Sequence, residues 1–177
     1  MLNRRLIVWG LLLELPLTAY AQTCRIETEV PSTTPISDFI DHGDGTVTHK
    51  RSGLMWMKCS LGQSGADCTT GGASDYSWQQ ALEVTDGYSF AGYADWRLPN
   101  ISELSSIVEQ RCYEPAINLD VFPSTPSTLS NSIFWSTSPH ANNSNYVWNV
   151  EFSTGANDLN VDRDDYLMHV RLVRSGQ

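Results

Sequence analysis

The sequence predicts a single α+β domain with an antiparallel sheet and two main helices. Three observations predict it. Two segments with complete helix-start signatures follow one another directly in the chain. Short apolar runs with strand character lie before and after that pair. The early runs are separated by tight Asp-Gly and Ser-Gly turns, which suit hairpins rather than long crossovers.

Each element follows in order. Residues 22–37 are polar and rich in Thr, Ser and Pro, and read as an N-terminal arm tied down by Cys24. The domain proper is expected over residues 38–177. Phe39 and Ile40 end a first strand, Asp44-Gly45 turns the chain, and Thr46-Val47-Thr48 starts a second. Ser52-Gly53 turns again into a third strand at residues 54–57. Asp41 and Asp44 fall in a tight turn rather than a calcium loop, because the twelve-residue EF-hand spacing and its terminal Glu are missing. Ser77 and Gln80 form a Ser-x-x-Gln capping box. Trp78, Ala81, Leu82 and Thr85 continue it at helical spacing, and the helix is expected to end near Asp86-Gly87.

The second helix opens from DWRLPNISEL, residues 95–104. Asn100 is its cap, and Glu103 reaches back to the cap amide. Pro99 holds Leu98 extended. Ile101, Leu104, Ile107 and Val108 make a buried face on a helix expected to reach about Gln110. Pro115, Pro123 and Pro126 then break regular structure. Residues 133–137 form an apolar strand. Tyr146, Trp148, Val150 and Phe152 alternate with Val147, Asn149 and Glu151, the period of a half-buried strand with Trp148 inside. Met168, Val170 and Leu172 alternate with His169 and Arg171 in the last strand.

The first 21 residues have the three parts of a secretory signal peptide: Arg4 and Arg5, an apolar run at residues 6–13, and Ala19-Tyr20-Ala21 as the cleavage site. Glu14 and Pro16 interrupt the run before it could span a bilayer. No other membrane segment is expected. Cleavage leaves 156 of the 177 residues, about one domain. It removes two positive charges and one negative, so the formal charge of −9 becomes −10. That balance argues against nucleic acid and anionic lipid as partners. Arg171 and Arg174, with Arg163 nearby in sequence, are the one basic grouping. Four cysteines in an exported chain read as two disulfides, with three possible pairings. The Gly-, Ser- and Asp-rich segment between Cys59 and Cys68 suits a local staple, which leaves Cys24 with Cys112.

Several motifs carry a family likeness: GDGTV (43–47), SGLMWMKC (52–59), SWQQAL (77–82), GYADWRLPN with SEL (92–104), PAIN (115–118), IFWSTSPH (133–140) and YVWNVEFSTG (146–155). In that order they resemble the DUF1566, or Lcl C-terminal domain, family over about residues 38–174. The resemblance implies an exported or surface bacterial protein. The family takes its name from a collagen-like adhesin whose C-terminal domain binds sulfated glycans. The Arg-Leu-Pro-then-helix pattern is also similar to the formylglycine-generating enzymes, whose fold is related to C-type lectins. A C-type-lectin-like single domain is therefore expected. This chain lacks a collagen Gly-x-y tract, and its acidity departs from the adhesin's preference for sulfated ligands.

Two functional classes follow. One is an exported noncatalytic binding module for a glycan or a surface protein. The other is an enzyme of formylglycine-enzyme-like ancestry. Helix capping and packing account for Asp95, Trp96, Arg97, Leu98, Pro99, Asn100 and Glu103, so that segment reads as scaffold and no catalytic residue is assigned. Cys59 has Cys68 close by and reads as a disulfide rather than a catalytic thiol. His42, His49, His140 and His169 show no i, i+4 pair for zinc. Glu114-Pro115-Ala116 and Trp148-Asn149-Val150 are similar to two calcium-lectin segments, but Ala116 and Val150 lack the ligand oxygens. No cofactor is expected; Asp158, Asp162 and Asp164, in the acidic run 157–165, are the candidates for weak calcium binding. The polar and aromatic loop residues Tyr88, Tyr93, His140, Asn142, Asn143, Asn145 and Asn157 are the candidate ligand contacts.

Overall fold

A computed structural model describes residues 21–128, 132–158 and 162–176. The leader expected over residues 1–21 lies outside it except for Ala21, and so do residues 159–161 of the acidic run. The chain is α+β, with antiparallel sheets and two short helices.

β1 (Thr23–Cys24) opens the arm. β2 (Phe39–Asp41), β3 (Thr46–His49) and β4 (Leu54–Met57) form the meander that the two glycine turns predict. β5 (Gln63–Ser64) and β6 (Thr70–Gly71) make a small hairpin. α1 (Trp78–Glu83) and α2 (Ile101–Ser105) follow, each with a complete capping box, from Ser77 and Gln80 and from Asn100 and Glu103. β7 (Cys112–Tyr113) pairs with β1. β8 (Ile133–His140), β9 (Asn143–Glu151) and β10 (Ala156–Asp158) build a three-stranded sheet in the order β10-β9-β8. β11 (Val173–Ser175) returns to pair with β4, giving the order β11-β4-β3-β2.

The buried apolar side chains gather into two cores. One holds Val47, Trp56, Leu104, Ile107, Phe122, Phe134, Val150 and Val173. The other holds Met55, Met57, Trp96, Leu98, Trp135, Val147, Val170 and Leu172. Neighbouring residues such as Met55 and Trp56, or Phe134 and Trp135, go to opposite cores, as side chains alternate along a strand. A strand covered on both faces loses its polar side, which corrects the alternation expected for the later strands. In β9, Val147, Asn149 and Val150 are all buried, and Trp148 is only half-buried. Residues 168–172 run extended just before β11, and His169 and Arg171 are as buried as Met168, Val170 and Leu172. Arg171 and Arg174 are therefore interior residues, not a basic surface patch.

α2 also ends earlier than expected, at Ser105 rather than near Gln110. The Ser105 and Ser106 hydroxyls donate to the carbonyls of Ile101 and Glu103 at 2.7 and 2.6 Å. Such local bonding competes with helix propagation. Ile107 and Val108 then close tighter turns onto Leu104 and Ser105. Glu109 is drawn away to the arm. Its carboxylate accepts from the Ser32 hydroxyl at 2.5 Å and from the Thr34, Thr33 and Arg111 amides at 2.9–3.1 Å. Disulfides Cys24–Cys112 and Cys59–Cys68 staple the arm and the β5–β6 loop. Among the described residues, no helix is long and apolar enough to cross a membrane.

Burial alone would raise the Glu109 pKa, but the bonds from Ser32, Thr34, Thr33 and Arg111 override it and hold it at about 2. The carboxylate thus stabilises the fold above its ordinary value of 4.5, and that contribution is lost as pH falls toward about 2. Thermal unfolding across this range should show the midpoint falling with pH. Glu109→Gln should lower the midpoint at neutral pH and flatten the acid limb; an unchanged acid limb would assign it to other carboxylates.

Candidate functional site

DWRLPN is built into the frame. The Arg174 Nε donates to Asp95 Oδ1 at 2.6 Å, and its guanidinium lies 3.8 Å from the Tyr93 ring centroid. The hydrogen bond from Arg174 holds the Asp95 carboxyl below its ordinary value. Arg97 exchanges both backbone hydrogen bonds with Val173, each at 2.9 Å. Its guanidinium forks onto Glu103 at 2.8 and 2.7 Å, so Glu103 serves the helix cap and the arginine together. That bonding lowers the Glu103 pKa and raises that of Arg97. The buried Trp96 donates its indole N–H to the Phe90 carbonyl at 3.0 Å and meets the Phe90 ring edge-on. Leu98 and Pro99 are buried, and the Pro99 carbonyl accepts from the Thr137 amide.

Arg171 is fully buried and, among the described residues, has no carboxylate partner. Its guanidinium donates to the Met57 and Lys58 carbonyls and, at 2.8 Å, to the Thr125 hydroxyl. It lies over the rings of Phe122 and Phe134, at 4.9 and 5.7 Å. Burial pushes its pKa down to about 9. These bonds fix the end of β4.

Beyond that strand end opens a cavity of about 470 Å³. Met57 and Cys59 line it from β4 and the residues after it. The Gly43-Asp44-Gly45 turn forms one wall. The facing loop, Gln63 to Ala66, is closed by the Cys59–Cys68 bridge. Tyr88 and Phe90 supply the aromatic wall. Gly45 has a positive φ of 91°, and a Cβ there would lie 2.8 Å from the Phe90 ring. Glycine is thus required for the ring to sit against the turn. Asp44 Oδ1 accepts from the Thr46 amide and hydroxyl at 3.0 and 2.6 Å, which aims the turn. Gln63 spends its amide on the Ser124 carbonyl and the Ser60 amide. Burial pushes the Tyr88 phenol up.

Of the candidate ligand residues, Tyr88 alone lines this cavity. Tyr93 is covered by Arg174. His140, Asn142, Asn143 and Asn145 belong to the β8–β9 hairpin and its turn, where His140 faces Trp148 edge-on. The Asn157 Oδ1 accepts from Ser105. These side chains do not converge on one site. Asp158 lies across from Asn149 and Asp162 across from Tyr146, while Asp162 Oδ1 accepts from the Asp164 amide. Among the described residues, no group of three or more His, Cys, Asp or Glu side chains is placed to hold a metal ion. Sequence reasoning missed Phe90, the Gly43–Gly45 turn and the 63–66 loop as cavity walls. The available signal was the aromatic pair flanking Ser89. A second cavity, about 390 Å³, lies beside the arm, but its buried carboxylate, Glu109, is already engaged.

The sequence matches the Lcl C-terminal domain family over residues 45–174, and the chain belongs to that family. No curated protein matches it.

Trp96 connects the frame to the cavity wall. Trp96→Ala should destabilise the fold by about 3–5 kcal/mol through cavity formation, read from chemical denaturation. A loss below about 1 kcal/mol would mean that the site collapses around the gap and that Trp96 supports nothing.

Proposed function

We propose that this chain is an exported, noncatalytic binding module that recognises a glycan in the cavity beside Tyr88 and Phe90. One observation carries the reading: two aromatic side chains share a 470 Å³ cavity with the hydrogen-bonding rim of Asp44 and Ser64. Aromatic faces take the apolar face of a sugar ring, while rim oxygens take its hydroxyls. The residues that an enzyme reading would recruit are committed elsewhere. Cys59 is in a disulfide, and Asp95 and Arg97 are in structural ion pairs. Two disulfides support folding outside the cytoplasm, in the periplasm, in the medium or at the cell surface. A C-type-lectin-like architecture is part of the proposal. Its support is the return of β11 into the sheet begun by β2–β4, beside the separate β8–β9 hairpin.

The test is a glycan array on the folded domain, with Tyr88→Ala beside it. A defined set of glycans should bind, with and without calcium. Tyr88→Ala should weaken that set at least tenfold, about 1.4 kcal/mol, measured on protein that remains folded, with a modest drop in melting temperature because the half-buried ring also packs against the core. Binding only to protein partners, or turnover of a substrate, would overturn the reading.

A further inference from the structure

The charge of the cavity narrows the ligand, on the premise that the glycan reading of the site is right. We infer that the bound sugar is non-anionic, a neutral or amino-bearing pyranose that presents a hydrogen-bond donor to Asp44, and that sulfated or carboxylated sugars are rejected.

Among the described residues, the rim carries a carboxylate and no cation. Asp44 is exposed at the turn, and only its Oδ1 is used, by Thr46. Among the described residues its Oδ2 has no hydrogen-bond partner and is free to accept from a ligand. A carboxylate only accepts, so the group it meets must donate: a hydroxyl or an ammonium. A sulfate or carboxylate there would meet like charge with no proton between them. Neither nearby cation offsets this. Lys58 follows lining residue Met57, but its ammonium is 2.6 Å from Asp41 Oδ2 and is neutralised there. Arg171 lies behind the strand end, fully buried, with its donors on Met57, Lys58 and Thr125. The polar side chain opposite, Gln63, is neutral: its amide oxygen accepts from the Ser60 amide and one of its two amide protons goes to the Ser124 carbonyl, so it brings no positive charge to offset Asp44. The cavity therefore offers aromatic faces, neutral polar groups and one carboxylate with no cation beside it, while the chain around it is acidic overall, with a formal charge of −9.

The probes are neutral hexose oligomers, N-acetylglucosamine oligomers, deacetylated glucosamine oligomers, and heparin and chondroitin sulfate fragments. Binding is measured by titration for the folded wild type, Asp44→Asn and Tyr88→Ala. The expected result is binding to at least one neutral or amino oligomer and none to the sulfated fragments. Asp44→Asn should weaken the bound oligomer at least tenfold, and salt should not weaken a neutral one. Preferential binding of heparin, weakening steeply with salt and abolished by Tyr88→Ala, would overturn the charge inference and leave the site standing. Glycan binding indifferent to both substitutions would overturn the site and this inference with it. No binding to any probe would overturn both, together with the glycan reading.

Discussion

A buried guanidinium with no carboxylate partner among the described residues is the constraint around which this domain is arranged. Moving a cation out of water is costly, so Arg171 must find hydrogen-bond acceptors wherever the chain can supply them. It finds the carbonyls at the end of β4 and a hydroxyl from residue 125, and it rests on Phe122 and Phe134. Three residues later Arg174 makes the complementary contact, with Asp95 and the Tyr93 ring. The closing segment thus binds the first meander to the stretch before α2. It does so at the boundary between the two cores, where a strand has no solvent face.

The cavity inherits its shape from that arrangement. β4 ends where Arg171 pins it, and Met57 and Cys59 become part of the lining. Trp96 holds the Phe90 carbonyl, Phe90 lies against Gly45, and the Cys59–Cys68 bridge holds the facing loop. DWRLPN therefore acts on the site through the residues it positions. None of its six residues, nor Glu103, lines the cavity.

Local signals were legible in the sequence, and long-range ones were not. Ser77 and Asn100 announce their helices because a capping box is complete within four residues. Asp44-Gly45 and Ser52-Gly53 announce their turns for the same reason. The length of α2 was misread, because the competitors that end it are serine hydroxyls and a carboxylate drawn to an arm some 75 residues earlier. Arg171 was misread because alternation assumes one wet face, and residues 168–173 have none. Tyr88 was picked out by its type, but Phe90 and the 43–45 turn join it only through tertiary contacts that spacing does not encode.

Arg171 organises the end of β4 and, through it, the cavity. Thermal unfolding and amide exchange of Arg171→Met test this role most directly. Methionine fills similar space but donates nothing, so the Met57 and Lys58 carbonyls lose this donor, while the Thr125 hydroxyl keeps its bond to the Phe122 carbonyl. Each orphaned buried group costs about 1–3 kcal/mol. The variant should lose at least about 2 kcal/mol of stability, and exchange should accelerate first at the Met57 and Leu61 amides, which bond to the Leu172 and Val170 carbonyls. A methionine variant as stable as wild type, with those amides equally protected, would show that hydrophobic packing alone holds the strand end.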